Sequence, residues 1–158
     1  MNNGLVTFSK YPIIKEHFEY FEADSYGEDI LGFKGILYTI VKTDYCNVTL
    51  LNTHTQNPDV VLGEKYLATQ TLDRHVLEII NIVKHYQKNN KPYICGGDFN
   101  TTINKDITEV PHTKDLVTFV ENEKGVQLDY IFSNVGDIKN YKSIHNKLSD
   151  HHLVITEL

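Results

Sequence analysis

The stretch Leu72-Asp73-Arg74-His75-Val76-Leu77-Glu78-Ile79-Ile80-Asn81-Ile82-Val83, followed by Asn89-Asn90-Lys91-Pro92 and then Tyr93-Ile94-Cys95, decides the fold class. Leu72, Val76, Ile79, Ile80 and Val83 recur every three or four residues and share one helical face, while Asp73, Arg74, Glu78 and Lys84 fall largely on the others. The spacing predicts a helix over 63–89 that lays an apolar stripe on a sheet. The Asn89 to Pro92 run ends it, since proline cannot continue the helical hydrogen bonding. Tyr93-Ile94-Cys95 then reads as a short buried strand. Ahead of the helix, 35–41 and 48–53 are rich in β-branched and aromatic residues and flank the hairpin loop Thr43-Asp44-Tyr45. Strands before and after one long helix predict an α/β layered arrangement with a mixed sheet or sheets.

Further out the signals shorten. Residues 5–9 read as a strand closed by Lys10-Tyr11-Pro12, 13–21 as extended chain, and 24–29 as a turn. After the helix, 96–105 reads as a loop, a short helix is expected after His112, and strands are expected near 128–132, 138–144 and 152–156. No internal repeat or Pro/Gly/Ser linker divides the 158 residues, so one domain over 1–158 is expected.

Composition narrows the function classes. Fifteen Lys and Arg against 21 Asp and Glu leave a net charge of −6, with 41% hydrophobic and 23% charged residues. That excludes a disordered or collagen-like chain. The acidic balance argues against a protein that relies on non-specific phosphate neutralisation, although a local site escapes that argument. No apolar run reaches the roughly 20 residues of a membrane-spanning helix, so no integral membrane association is expected. The first residues lack a basic segment followed by an apolar one, so a cytoplasmic location is expected if the chain is complete as given. Cys46 and Cys95 both lie in apolar, strand-like stretches and are expected to be buried thiols. They lack CxxC spacing, which argues against a thiolate zinc site.

Four polar clusters end strand-like runs: Leu51-Asn52-Thr53-His54-Thr55-Gln56, Cys95-Gly96-Gly97-Asp98-Phe99-Asn100, Leu128-Asp129-Tyr130-Ile131-Phe132, and Leu148-Ser149-Asp150-His151-His152. Strand ends are where α/β folds collect site residues. Singly, each has an ordinary reading: a turn histidine, a Gly-Gly-Asp turn, a cap. Asp129 inside an apolar strand is harder to explain, since a buried carboxylate needs a partner. Together the clusters supply three carboxylates, one carboxamide and two or three imidazoles. That inventory suits hydrolysis of a phosphate ester with a hard divalent cation, Mg²⁺ or Mn²⁺, held by oxygen ligands. No nucleophile elbow and no phosphate-binding Walker loop is present.

The ordered blocks Gly4-Leu5-Val6-Thr7-Phe8-Ser9-Lys10-Tyr11-Pro12-Ile13, Asn52-Thr53-His54, Gly97-Asp98-Phe99-Asn100, Leu128-Asp129-Tyr130-Ile131-Phe132 and Ser149-Asp150-His151 resemble the endonuclease/exonuclease/phosphatase superfamily over nearly the whole chain. The resemblance implies a four-layer sandwich of two mixed β-sheets flanked by helices. It implies that His54 and His151 flank the scissile phosphate. Asp98 and Asn100 would orient the attacking water and the phosphate oxygens with a metal contact, Asp129 would orient His151, and Asp150 would lie at the metal edge. His152 is expected to be structural.

The resemblance also implies an Asn and a metal-binding Glu ahead of the Ser9-Lys10-Tyr11-Pro12 block. Here that block begins almost at Met1, so the chain reads as an incomplete domain lacking N-terminal strands, weak or inactive alone, to be completed by an N-terminal segment or a second chain. The 51–56 cluster resembles the neutral sphingomyelinase form of its block, so a phosphodiester in a lipid head group is the expected substrate. A nucleic acid is the alternative, and a non-catalytic remnant with a binding role is a further one.

Overall fold

The computed structural model describes residues 4–103, 110–114, 116–121, 124–145 and 147–158. Three strands, β1 (Ile13–Tyr20), β2 (Gly35–Lys42) and β3 (Asn47–His54), form an antiparallel meander. The chain then crosses through α1 (Lys65–Lys88) and returns as β4 (Tyr93–Asp98), parallel to β3. After the short ribbon β5 (Phe119–Glu121) and β6 (Lys124–Val126), β7 (Asp129–Ser133) pairs antiparallel with the far side of β4. The sheet order is β1-β2-β3-β4-β7. A second ribbon, β8 (Lys139–Ile144) with β9 (Leu153–Glu157), follows. The α/β class is as the sequence predicts, with one five-stranded mixed sheet and two two-stranded ribbons among the described residues.

The helix forms for the reason its spacing gives. Ala68, Leu72, Val76, Ile79, Ile80 and Val83 are all buried. All but Ala68 join one core with Ile36 and Tyr38 of β2, Leu51 of β3, Tyr93 and Cys95 of β4, and Tyr130 and Phe132 of β7. At about 1.5–3 kcal/mol for each large apolar side chain removed from water, the stripe contributes roughly 10 kcal/mol toward holding α1 on the sheet. Among the described residues, no helix is long and apolar enough to cross a membrane.

A parallel β3–β4 pair is possible only with a long crossover, which α1 supplies. Its register sets Thr53 opposite Gly97 and His54 opposite Asp98. Gly97 has φ +152°, and a Cβ there would lie 1.9 Å from the Thr53 carbonyl oxygen. Only glycine lets the two strand ends close at this point.

Several sequence expectations are corrected. Residues 5–9 are not a strand, since among the described residues no strand pairs with them; a bond from Asn52 Nδ2 to the Val6 carbonyl helps tie the segment to β3. Strand β4 runs on to Asp98 because β3 and β7 both offer ladder partners beyond Cys95. The described residues after His112 form no helix. His112 bridges to Phe132, and Thr113 N–H donates to the Ile131 carbonyl, so the segment lies extended beside β7. Cys46 is exposed, because it sits in the β2–β3 turn that the Thr43 hydroxyl closes, whereas Cys95 is buried as expected. Part of the 96–105 loop falls outside the described residues.

Candidate active site

Three ladder pairings set the site. Gly35 of β2 pairs with His54 at the end of β3, His54 with Asp98 at the end of β4, and Asp98 with Asp129 at the start of β7. One row across the sheet thus carries an imidazole and two carboxylates side by side. The row is built into the backbone, so it does not depend on flexible loops.

The fourth member arrives from the C-terminal segment. His151 lies against Phe119, with ring centroids 5.0 Å apart, and makes an isolated bridge to it. Its backbone N–H donates to the Ser149 hydroxyl, and the next amide, of His152, donates to the Thr118 carbonyl at 2.7 Å. So seated, the His151 ring places Nδ1 2.8 Å from Asp129 Oδ2. Because a carboxylate only accepts, Nδ1 carries the proton in this bond and Nε2 is the nitrogen turned toward Asp98, 3.8 Å from its Oδ2. His54 Nε2 lies 3.5 Å from the same oxygen. Asp98 Oδ2 therefore sits between two imidazoles.

The other Asp98 oxygen, Oδ1, accepts the Asn100 backbone N–H at 2.8 Å. Asn100 is in the left-handed region, φ +48°, which asparagine tolerates better than most residues. Its Nδ2 donates to the Thr55 carbonyl at 3.1 Å. Asp129 is anchored through its backbone: the Thr118 hydroxyl accepts the N–H groups of Leu128 and Asp129.

The two imidazoles differ in electrostatic setting. For His151, burial opposes the charged form, but the Asp129 hydrogen bond and the negative charges of Asp129, Asp98 and Asp150 outweigh it and raise its pKa. For His54, burial together with the Lys34 ammonium lowers the pKa, against the pull of Asp98 and Asp29. Burial also raises Asp98, and the neighbouring Asp129 charge adds to that, opposed by the Asn100 N–H and the two histidines. A pair of titratable groups pushed in opposite directions is the pattern of an acid–base site.

The structure brings together His54, Asp98, Asn100, Asp129 and His151. Asp150 stands apart from that cluster, exposed, with its Oδ1 accepting the Ser149 hydroxyl. It lines a cleft of about 480 Å³ with Asn57, Asp59, Asn100, Phe119 and His151. A larger groove of about 780 Å³ runs between α1 and the outer strands, past Glu22, Tyr38, Glu78 and Tyr86, and holds none of the converging groups. The chemistry, not the volume, marks the site. Asp98, Asp129 and His151 present ligand-type atoms within 4.8 Å of one another. Two carboxylates held this close, with Asp98 raised chiefly by burial and further by the Asp129 charge, suit a divalent cation, and the oxygen-rich donor set favours a hard one.

Two nearby residues escape sequence reasoning. Lys34 is buried beside the site row, its Nζ 3.4 Å from Asp29 Oδ1, and no periodicity marks it out. His75 lies fully buried under the β3 end. Its signal was present, since it is a polar residue on the apolar face of the Leu72–Val83 run. His152, expected to be structural, places Nε2 3.3 Å from His145 Nδ1 at the end of the β8–β9 ribbon.

Comparison with known proteins gives a consistent picture. A sequence profile described as the Endonuclease/Exonuclease/phosphatase family matches residues 1–151. Sphingomyelinase C from Bacillus cereus is 32% identical over 100 residues, which cover 63% of this chain and 29% of that protein. A crystal structure of beta toxin from Staphylococcus aureus superposes with a TM-score of 0.70 at 22% identity, covering 94% of this chain and 65% of that one. A mutant of the same toxin with bound magnesium ions superposes at TM-score 0.61 and 22% identity, covering 92% and 64%. The match thus spans less than a third of the curated relative and just under two thirds of each solved one.

Proposed function

The chain belongs to the endonuclease/exonuclease/phosphatase family, and from that premise we propose that it carries the core of a divalent-metal-dependent phosphodiester hydrolase acting on a lipid head group of the sphingomyelin type. One observation carries the reading. His54, Asp98 and Asp129 lie in register across three neighbouring strands, and His151 docks on Asp129 at 2.8 Å. The similarity to sphingomyelinase C supports the substrate class.

The roles follow from the geometry. Asp129 holds the His151 Nδ1 proton and so leaves Nε2 as the nitrogen that exchanges a proton with water. An imidazole fixed by a carboxylate is a stronger and better-aimed base than a free one. His54, kept neutral by burial and by Lys34, presents an Nε2–H donor to a phosphoryl oxygen. Asp98, between the two rings, orients the attacking water. Asn100, fixed by the Asp98 carboxylate and the Thr55 carbonyl, aligns the phosphate oxygens. A Mg²⁺ or Mn²⁺ ion on Asp98 of this cluster, with Asn100 and Asp150 offering further oxygens from the cleft they line beside His151, would neutralise phosphate charge and stabilise the leaving oxygen.

The test is a turnover assay on sphingomyelin, bis-p-nitrophenyl phosphate and plasmid DNA with Mg²⁺ present. Trace hydrolysis of the first two by the chain alone, raised by an added N-terminal segment carrying the expected Asn and Glu, then lost on adding a chelator and reduced on the order of a thousandfold by His151→Ala, is the expected result. Hydrolysis of DNA alone would move the substrate to nucleic acid. Hydrolysis insensitive to His151→Ala would overturn the site.

A further inference from the structure

His75 sits on the apolar face of α1 with Leu72, Val76 and Ile79, fully buried. Its ring stacks on Phe21 with centroids 4.0 Å apart and planes 20° apart. Both ring nitrogens have backbone partners. The Gln56 N–H lies 3.2 Å from Nδ1, and the Ala23 carbonyl oxygen lies 2.8 Å from Nε2. A backbone N–H can only donate and a carbonyl can only accept. The ring is therefore neutral with its proton on Nε2.

The bond to Gln56 reaches the site by one residue. Gln56 is itself fully buried, and its carboxamide accepts from Tyr26 N–H at 2.8 Å and donates to the Tyr26 and Asn57 carbonyls. Thr55, next to it, donates its N–H to the Asp98 carbonyl at 3.1 Å and accepts the Asn100 carboxamide at 3.1 Å. The Thr55–Gln56 peptide unit is thus held at its N–H by a helix histidine and at its carbonyl by Asn100, with the preceding amide tied to the Asp98 backbone. Where the chain leaves the β3 ladder after His54, this side chain replaces the missing strand partner for the Gln56 amide.

We propose that His75 is a positioning residue: from α1 it fixes the Thr55–Gln56 backbone and, through the Thr55 carbonyl, the orientation of the Asn100 carboxamide beside Asp98. The inference rests on the reading of Asn100 as a site residue, but its test does not depend on turnover. A core-filling histidine would need only its volume and its ring stack. A positioning histidine needs the acceptor at Nδ1.

The experiment compares His75→Asn, whose Oδ1 stands where Nδ1 stood, with His75→Gln, whose amide nitrogen reaches the Nε2 position, and with His75→Leu. The readouts are amide exchange at Gln56 and the Asn100 side-chain NH₂ signals, followed by NMR on the full chain. Loss of one buried hydrogen bond predicts exchange at Gln56 about tenfold faster in the Gln and Leu variants, with parent-like exchange in the Asn variant. The Asn100 NH₂ signals should move in the same order. Equal effects of Asn and Gln, or unmoved Asn100 signals in all three, would overturn the proposal. Should the variants not fold, the imidazole nitrogen spectrum of the parent decides: an Nδ1-protonated or doubly protonated His75 would overturn it. Failure of the turnover assay would sink the functional reading and leave these signals unchanged, so the two failures are distinguishable.

Discussion

His151 Nδ1 lies 2.8 Å from Asp129 Oδ2, although Asp129 opens β7 in the polar row and His151 comes to it from the segment ahead of β9, 22 residues on. The carboxylate favours the imidazolium, and the nearby charges of Asp98 and Asp150 add to it. Asp129→Asn removes the strongest of the supports that oppose burial. The His151 pKa should fall in that variant, and an NMR titration of the ring protons reads it directly. An unchanged value would mean that the bond contributes nothing to the proton affinity of the site.

Acid should destabilise the fold. Burial is the first cause lowering the pKa values of His75, His54 and His112 in the folded chain. An unfolded histidine titrates near 6.5, so below about pH 6.5 the unfolded state takes up protons that the folded state refuses. Stability is then lost as pH falls. His151 and the carboxyls of Asp98 and Glu78, all raised when folded, work in the opposite direction, but the carboxyls start from a lower range, so near pH 6 the three histidines act chiefly against His151. Melting temperature should therefore drop from pH 7 to pH 5, and His75→Asn should make that slope shallower. A flat profile would contradict the burial argument.

Gly97→Ala should be among the most damaging single-methyl additions available. The added Cβ would meet the Thr53 carbonyl at 1.9 Å in a backbone conformation that alanine rarely adopts. A cost of about 3 kcal/mol or more is expected, which lowers the melting temperature by roughly 10 °C for a chain of this size. Gly96→Ala is the control, because its nearest new contact is an ordinary 3.5 Å. Calorimetry on the two variants should separate them clearly.

Divalent cation binding should be weak and local. Asp98 and Asp150 are the anionic oxygens proposed for it, and Mg²⁺ gives up its water reluctantly, so an affinity in the millimolar range is expected as an order of magnitude. Titrating Mg²⁺ into the labelled chain should move signals of Asp98, Asn100, Asp150 and His151 and leave α1 unchanged. Asp98→Asn should abolish the response. Micromolar affinity, or shifts centred elsewhere, would displace the metal from this site.

Much of this arrangement was legible in the sequence because it rests on short-range patterns. The α1 stripe is a matter of spacing, and it lies buried where the spacing puts it. The β2–β3 hairpin and Tyr93–Cys95 are apolar runs bounded by turn residues. His54, Asp98, Asn100, Asp129 and His151 stood out as polar residues ending such runs. What was not legible depends on partners. Residues 5–9 have strand-like composition but pair with no strand among the described residues. Cys46 has apolar neighbours but occupies a turn. Lys34 shows no pattern, because its burial depends on Asp29 and on the closing of β2 against β3. His75 was visible as a polar residue in an apolar stripe, yet its targets, Gln56 and Ala23, are set by the crossover and not by anything local to the helix.

The register that sets His54 beside Asp98 and Asp98 beside Asp129 has a consequence for how the chain folds. The β1–β2–β3 meander is local and can form early, but it presents His54 with Asp29 alone and neither carboxylate of the row. Those carboxylates come only when the crossover closes and β7 zips onto β4, steps that order long stretches of chain before any ladder bond compensates. The polar row therefore forms only in the cooperative event that completes the centre of the sheet. Amides of Gly97 and Phe99 should exchange only on global opening, while those of the exposed edge strand β1 fray at much lower cost.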